Sequence, residues 1–226
     1  MVSGIDAVAC DRLGAVSSID HVILGVRDLD AVTRRLEDMG FGVVDGGRHL
    51  GLGTANRIVP FGGSQYLEIL GVVDPVEARQ SLFGRALVDA TADGDRLVRW
   101  CIEVDDLEAV AARLGLTVEP RSRRLPDGVL LTWRAAGLTL SLVDGWLPFF
   151  VAWDHPERHP GRAAVRHRRR PTGFTRLDLS TSDASRLERW LAGTDLPVRV
   201  VDGHPGLHHV AIETDDGEVI VGAGTP

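Results

Sequence analysis

The chain has 226 residues, 44% of them apolar and 25% charged, with a formal net charge of −7. That suffices for one large domain or two small ones with a sizeable core, and the acidic balance argues against a nucleic-acid partner. All 25 basic residues are arginine, which excludes a lysine Schiff base, a lysine general base and a phosphate-loop lysine.

No apolar run reaches the ~18 residues of a membrane helix, so no membrane partner is expected. The first eighteen residues lack the cationic start and long apolar stretch of a secretory signal. Cys10 and Cys101 make no disulfide framework. The expected location is the cytoplasm, with both thiols reduced.

Along the chain, residues 1–18 read as a loosely ordered leader. A pattern then occurs three times: an apolar strand, a short acidic turn and an amphipathic helix. The helix-opening residues are Asp28, Asp106 and Asp183, spaced by 78 and 77 residues. A spacing this regular points to one structural unit used repeatedly. The residue seven before each aspartate is His21, Arg99 and Arg176, so that position changes chemistry between copies.

Unit one spans 19–73. Its strand 21–26 leads into a helix capped by Asp28, which Gly40 ends. Strands follow at 41–44, 56–60 and 65–72, with a glycine-rich connection over 45–54. Residues 74–96 are a connection with a short helix. Unit two spans 97–154, with strands at 97–104, 117–119, 129–134 and 148–153, a helix at 106–114, and a Pro126-Asp-Gly turn. The stretch 155–172, rich in arginine, histidine and proline, reads as an exposed, solvated linker. A short unit three occupies 173–226, with strands at 174–180, 198–201, 208–214 and 218–222 and a helix at 183–191. The fold class is α+β, with three tandem βαβββ units.

The segments Asp20-His-Val-Ile-Leu, Gly46-Gly-Arg-His-Leu-Gly-Leu-Gly-Thr-Ala-Asn, Gln65-Tyr-Leu-Glu-Ile-Leu and Leu147-Pro-Phe-Phe-Val-Ala-Trp-Asp resemble those of glyoxalase-like-domain proteins. These belong to the vicinal oxygen chelate superfamily, with the bleomycin-resistance proteins and extradiol dioxygenases. The resemblance covers 19–154 well and unit three only by pattern. It implies paired units whose curved sheets enclose a pocket. It also implies divalent-metal ligands on the first and last strands of each unit. The superfamily includes lyases, isomerases, dioxygenases and pure binding proteins, so fold does not fix function.

Strand parity assigns faces. His21 and Ile23 share the pocket face, as do Tyr66, Glu68 and Leu70, and Arg99, Cys101 and Glu103. Val22, Leu24, Val26, Leu67, Ile69, Trp100, Ile102 and Val104 pack under the helices. His21 and Glu68 are half of a divalent-metal site and the candidate catalytic pair. Unit two departs from the pattern: Arg99 replaces the histidine, and Ala152 stands where relatives carry a glutamate before the Trp-Asp pair. A guanidinium suits a carboxylate or phosphate. Arg99 therefore either anchors a ligand or pairs with Glu68 or Glu103, within hydrogen-bond reach of one of them. Arg48, His49 and Asn56 on the glycine-rich stretch, with Tyr66 and Trp153, complete the ligand-binding candidates.

Two functions stay open. One is a metal-dependent lyase, isomerase or dioxygenase that uses an unidentified divalent metal on His21 and Glu68. The other is a metal-free binding or catalytic pocket for a small anionic or oxygen-rich metabolite, with Arg99 as anchor and either His21 or Glu68 as proton acceptor. Unit three leaves an apolar sheet face carrying Leu177, Leu179, Val198, Val200, Val210, Ile212, Val219 and Val221. That face either packs within the chain or forms a homodimer, and the homodimer is the expectation.

Overall fold

The computed structural model describes residues 17–125 and 128–222. Most of the expected leader, and Pro126 and Asp127 of the expected turn, lie outside the described residues. The first unit runs β1 (Ser18–Val26), α1 (Leu29–Asp38), β2 (Val44–His49), β3 (Thr54–Pro60) and β4 (Tyr66–Val72). The connection folds as α2 (Pro75–Gln80) and α3 (Leu82–Ala90). The second unit runs β5 (Arg96–Glu103), α4 (Leu107–Leu114), β6 (Val118–Arg124), β7 (Leu130–Ala136), α5 (Leu138–Val143) and β8 (Phe149–Trp153). Two 3-10 turns, Pro156–Arg158 and Pro160–Arg162, precede β9 (Pro171–Ser180), α6 (Ala184–Leu191), β10 (Val198–Val200), β11 (Gly206–Thr214) and β12 (Val219–Gly222).

The repeated aspartates do one job. Asp28, Asp106 and Asp183 each accept a backbone N–H three residues on, at 2.9 Å, and so cap α1, α4 and α6. Each cap satisfies one orphan donor, an effect of about 1 kcal/mol.

Units one and two form a single eight-stranded sheet in the order β2-β3-β4-β1-β5-β8-β7-β6. In both units the first strand pairs in parallel with the last, and β1 meets β5 antiparallel at the centre. The sheet curls until its edges approach. A Cβ placed at Gly47 on β2 would lie 3.2 Å from the Arg124 carbonyl on β6. The curved sheet is thus nearly closed, as in the vicinal oxygen chelate fold.

The glycine-rich stretch is not a connection. It contains β2 and its turn into β3, whereas 41–43 are not strand. The register shifts between Asp45 and Gly47, and a side chain at Gly46 would collide with the Asn56 carboxamide. Glycine permits that bulge and that close approach.

Unit three repeats the element order but not the pairing. Its sheet is ordered β10-β9-β11-β12, with β9 parallel to the adjacent β10 rather than to the last strand. Its apolar face is covered within the chain: Leu177, Leu179, Val210, Ile212, Val219 and Val221 are buried with Trp100, Ile102 and Leu147. Phe174 stacks on Phe61 with ring centroids 4.8 Å apart, and the Trp190 indole donates to the Pro148 carbonyl at 2.9 Å. Of the face that motivated a homodimer, Val198 is partly buried and only Val200 remains exposed, so no large apolar patch is left on it. No helix among the described residues is long and apolar enough to cross a membrane.

The 155–172 stretch is largely exposed, as in His155, Glu157, Arg158, Arg166 and Arg170, but it is docked on unit one. Backbone N–H groups of Arg168 and Arg169 donate to the Gly40 carbonyl at 2.8 and 3.0 Å. The Arg168 guanidinium reaches the Glu37 and Asp38 carbonyls at 2.6 and 3.1 Å. The arginine run thus closes the C-terminus of α1, where unpaired carbonyls and the helix dipole favour a cation.

Candidate functional site

The inner face of the closed sheet is where the parity argument leads. Ile23, Leu70, Cys101, Phe149 and Val151 form its apolar lining, separate from the outer core of Val22, Leu24, Val26, Leu67, Ile69, Trp100, Ile102 and Val104. His21, Glu68, Asn56 and Arg99 are buried polar residues, and His21, Glu68 and Arg99 are 5%, 7% and 2% exposed.

At the centre of the polar network stands Asp20, a residue that strand alternation would send to the other face. The register of β1 on β5 shifts between Ile19 and His21. Such a bulge re-aims a side chain. Asp20 is fully buried. Its Oδ1 receives the His21 Nδ1–H, and its Oδ2 receives the Trp153 Nε1–H at 2.8 Å and the His159 Nε2–H at 2.9 Å. Burial opposes ionisation here, but the bonds from His159 and His21 outweigh it and hold the carboxyl at about 2. The His159 tautomer follows from its other nitrogen: Nδ1 accepts the Gly161 N–H at 2.9 Å, so Nε2 carries the proton.

With Nδ1–H held by Asp20, the His21 ring presents Nε2 to Glu68 Oε2, 3.5 Å away. The ring is fixed by stacking on Tyr66 (4.6 Å) and by the edge of Phe149 (5.5 Å). Asn56 Nδ2 donates to Glu68 Oε1 at 2.7 Å, while its Oδ1 finds no donor among the described residues.

Arg99 comes from β5 and lies two strands from Glu68, in the row Glu68, Ile23, Arg99. Its guanidinium sits over the Phe83 ring, 4.6 Å from the centroid. It hydrogen-bonds neither Glu68 nor Glu103, which leaves the ligand-anchor alternative; Nε and Nη2 are buried with no partner among the described residues. Burial draws its pKa down from 12.5 to about 10, against the pull of the Glu68 charge.

The other candidates divide. His49 is bonded to Thr54 Oγ1 at 2.9 Å and edges onto Phe83, 6.3 Å between centroids. Burial lowers its pKa, with the Glu68 charge opposing. Arg48 turns outward to Asp74 and Glu77 and leaves the interior. Arg176 joins a partly exposed network with Asp178 and Glu218 instead of facing a pocket. Trp153 acts on Asp20.

Sequence reading misses Asp20, His159 and Phe83 as parts of this interior. His159 rides on the strap between units two and three, which also walls a neighbouring cavity of about 370 Å³ with Ile58, Arg123 and Leu131. Its fit depends on Gly161, where a Cβ would lie 2.5 Å from the Gln65 carbonyl. Gly161→Ala is therefore expected to lift the strap. Hydrogen exchange at the Gly62 N–H, bonded to the Gly161 carbonyl at 2.7 Å, should quicken at least tenfold. Unchanged exchange would refute the docking.

Whether these residues suit a metal can be tested on the registers. Ile23 opposes Glu68, and Cys101 opposes Phe149. His21 and Arg99 are equivalent, so Phe149, not Ala152, is the unit-two counterpart of Glu68. Ala152 faces the outer core. The four superfamily positions are thus His21, Glu68, Arg99 and Phe149, two donors with a buried cation beside them. Two further groups bring donor atoms within 4.8 Å of one another: Asp20, His21 and Cys101, and Asp20, Glu103 and His159. In the second, the His159 Nε2 lone pair is replaced by a proton. In the first, burial raises the Cys101 thiol pKa and disfavours the thiolate a metal needs. The donor set does not fit a resident divalent metal well.

A family model described as a glyoxalase-like domain matches residues 19–195. The chain belongs to the glyoxalase-like domain family. Among solved structures it is similar to a hypothetical protein from Staphylococcus aureus, at 17% identity and TM-score 0.59, covering 93% of this chain and 87% of that one. It is also similar to a methylmalonyl-CoA epimerase in complex with methylmalonyl-CoA and NH4+ (24% identity, TM-score 0.46, 62% of this chain and 96% of that one). A Mn(II)-bound glyoxalase from Novosphingobium aromaticivorans matches at 15% identity and TM-score 0.47, over 86% of this chain and 65% of that one. No curated protein matches the chain. At 17% identity the first likeness is one of fold alone.

Proposed function

We propose that the interior of this glyoxalase-like domain binds a small anionic metabolite, anchored on Arg99, and that His21 accepts a proton from it. The observation that carries this reading is the Arg99 guanidinium, 2% exposed and with two nitrogens unpartnered among the described residues. Leaving a buried charge uncompensated costs several kcal/mol, and a bound anion removes that cost. His21 is prepared for proton transfer. Asp20 holds its Nδ1–H, so Nε2 is the basic nitrogen, and Asp20 stabilises the imidazolium that forms. Glu68, fixed by Asn56, faces Nε2 and adds to that stabilisation.

A second reading has its own support. A carboxylate behind one ring nitrogen, with the other nitrogen facing Glu68, is also how metal-binding histidines are oriented. Elemental analysis of gently purified protein separates the two readings. The expected result is less than ~0.1 divalent metal per chain, unchanged in His21→Ala. Stoichiometric metal that disappears in His21→Ala would establish the metal enzyme instead. In the same protein, small anions should raise the unfolding temperature of the wild type and not of Arg99→Met.

A further inference from the structure

The shape of the unpartnered group narrows the ligand further, a step that rests on the anion-pocket reading. Nε and Nη2 lie on one edge of the guanidinium, where their N–H bonds run parallel and form a fork. The same chain shows what fills such a fork. Arg199 Nε and Nη2 donate to Oδ1 and Oδ2 of Asp178, both at 2.8 Å. On Arg199 the fork is taken at the protein surface; on Arg99 the same pair of nitrogens is buried and free among the described residues.

The fork also has an aromatic neighbour. Arg99 Cζ lies over the Phe83 ring, supplied by α3, 4.6 Å from its centroid, and that ring is itself braced by the His49 ring. This cation–π contact holds the guanidinium from one side. A monatomic anion satisfies one nitrogen well or both poorly. A carboxylate or a phosphate spans both with two of its oxygens.

We infer that the ligand presents a carboxylate or phosphate group, bound side-on by two oxygens through Arg99 Nε and Nη2, and that Phe83 is a positioning residue that holds the guanidinium.

The test measures binding of acetate, inorganic phosphate and chloride to the full chain by ligand-observed NMR at constant ionic strength. The variants are Arg99→Lys, which keeps the charge and loses the fork, and Phe83→Leu, which keeps the guanidinium and loses the ring. Acetate, phosphate or both should bind the wild type at least tenfold more tightly than chloride, and the tighter of the two identifies the group. Arg99→Lys should lose at least tenfold, and Phe83→Leu several-fold, in that affinity with unchanged chloride binding. Chloride binding as tightly as either, in an Arg99-dependent way, would overturn the two-oxygen assignment and leave the anion pocket standing. Binding of acetate to Arg99→Lys at wild-type strength would also overturn it. If none of the three anions binds, or if binding survives Arg99→Met, the pocket reading itself falls. Should Arg99→Lys not fold, Phe83→Leu and the three-anion comparison on the wild type decide alone.

Discussion

Replacing Asp20 by alanine should cost about 3–5 kcal/mol of stability, the range for breaking a buried, charged hydrogen-bond network. Asp20 accepts from His21, Trp153 and His159, and its removal leaves three buried N–H groups without an acceptor. Part of this stability depends on pH, and its sign is fixed. The carboxyl titrates at about 2 in the folded chain, against 3.8 for an unperturbed aspartate. A depressed acid stabilises the fold above the unfolded value and loses that contribution as pH falls through the folded one. The shift corresponds to about 2 kcal/mol, present above pH ~4 and fading toward pH ~2. Urea unfolding at about pH 6 and about pH 2.5 checks both statements. Asp20→Asn, which keeps the shape and cannot ionise, should lie closer to the wild type at the lower pH. A cost below about 1 kcal/mol for Asp20→Ala at the higher pH would show that the network does not hold the interior together.

The fold is legible in the sequence because its signals are local and repeated. Three capping aspartates at a regular spacing mark the helices, and strand alternation separates inner from outer faces in β1, β4 and β5. The third unit shows the limit of such reading. Its element order follows the pattern, but strand pairing is a long-range choice, and the three-residue β10 settles beside β9 where a last strand was expected. Burial of its apolar face on the shared core likewise depends on contacts that no local pattern encodes. The glycine-rich β2 reads as a connection because it has no alternating side chains to show.

The site is half legible for related reasons. His21, Glu68, Asn56 and Tyr66 come together because parity and pairing place them on adjacent strands. Asp20 is invisible because only a bulge turns it inward. His159 is 139 positions from Asp20 in sequence, on a segment whose composition reads as solvated. The motif match puts the wrong residue, Ala152, at the unit-two position because a motif sets no register. The pairing of Cys101 with Phe149 does.

Arg99→Met should make the ligand-free protein more stable while abolishing anion binding. Methionine matches the length of the apolar stem, fills the space over Phe83 and removes a charge that burial disfavours. The folded-state pKa of about 10, against 12.5, sets the scale: below pH ~10 the folded chain bears a penalty of roughly 3 kcal/mol for keeping this cation. The sign is that of a base whose folded pKa is lowered, so the penalty is whole at neutral pH and is relieved only as pH rises between those values. Lost packing of the guanidinium on the ring offsets part of the gain, and a net increase of about 1–3 kcal/mol near pH ~7 is expected, shrinking above pH ~10. Denaturant titrations at about pH 7 and about pH 10.5 measure it. Saturating acetate should then narrow the difference by stabilising the wild type alone. A buried arginine kept for structure would behave in the opposite way: its loss would destabilise the chain, with or without an anion. A protein that retains the cation at this cost in the free state uses it to bind, and the sign of this one substitution distinguishes the two cases.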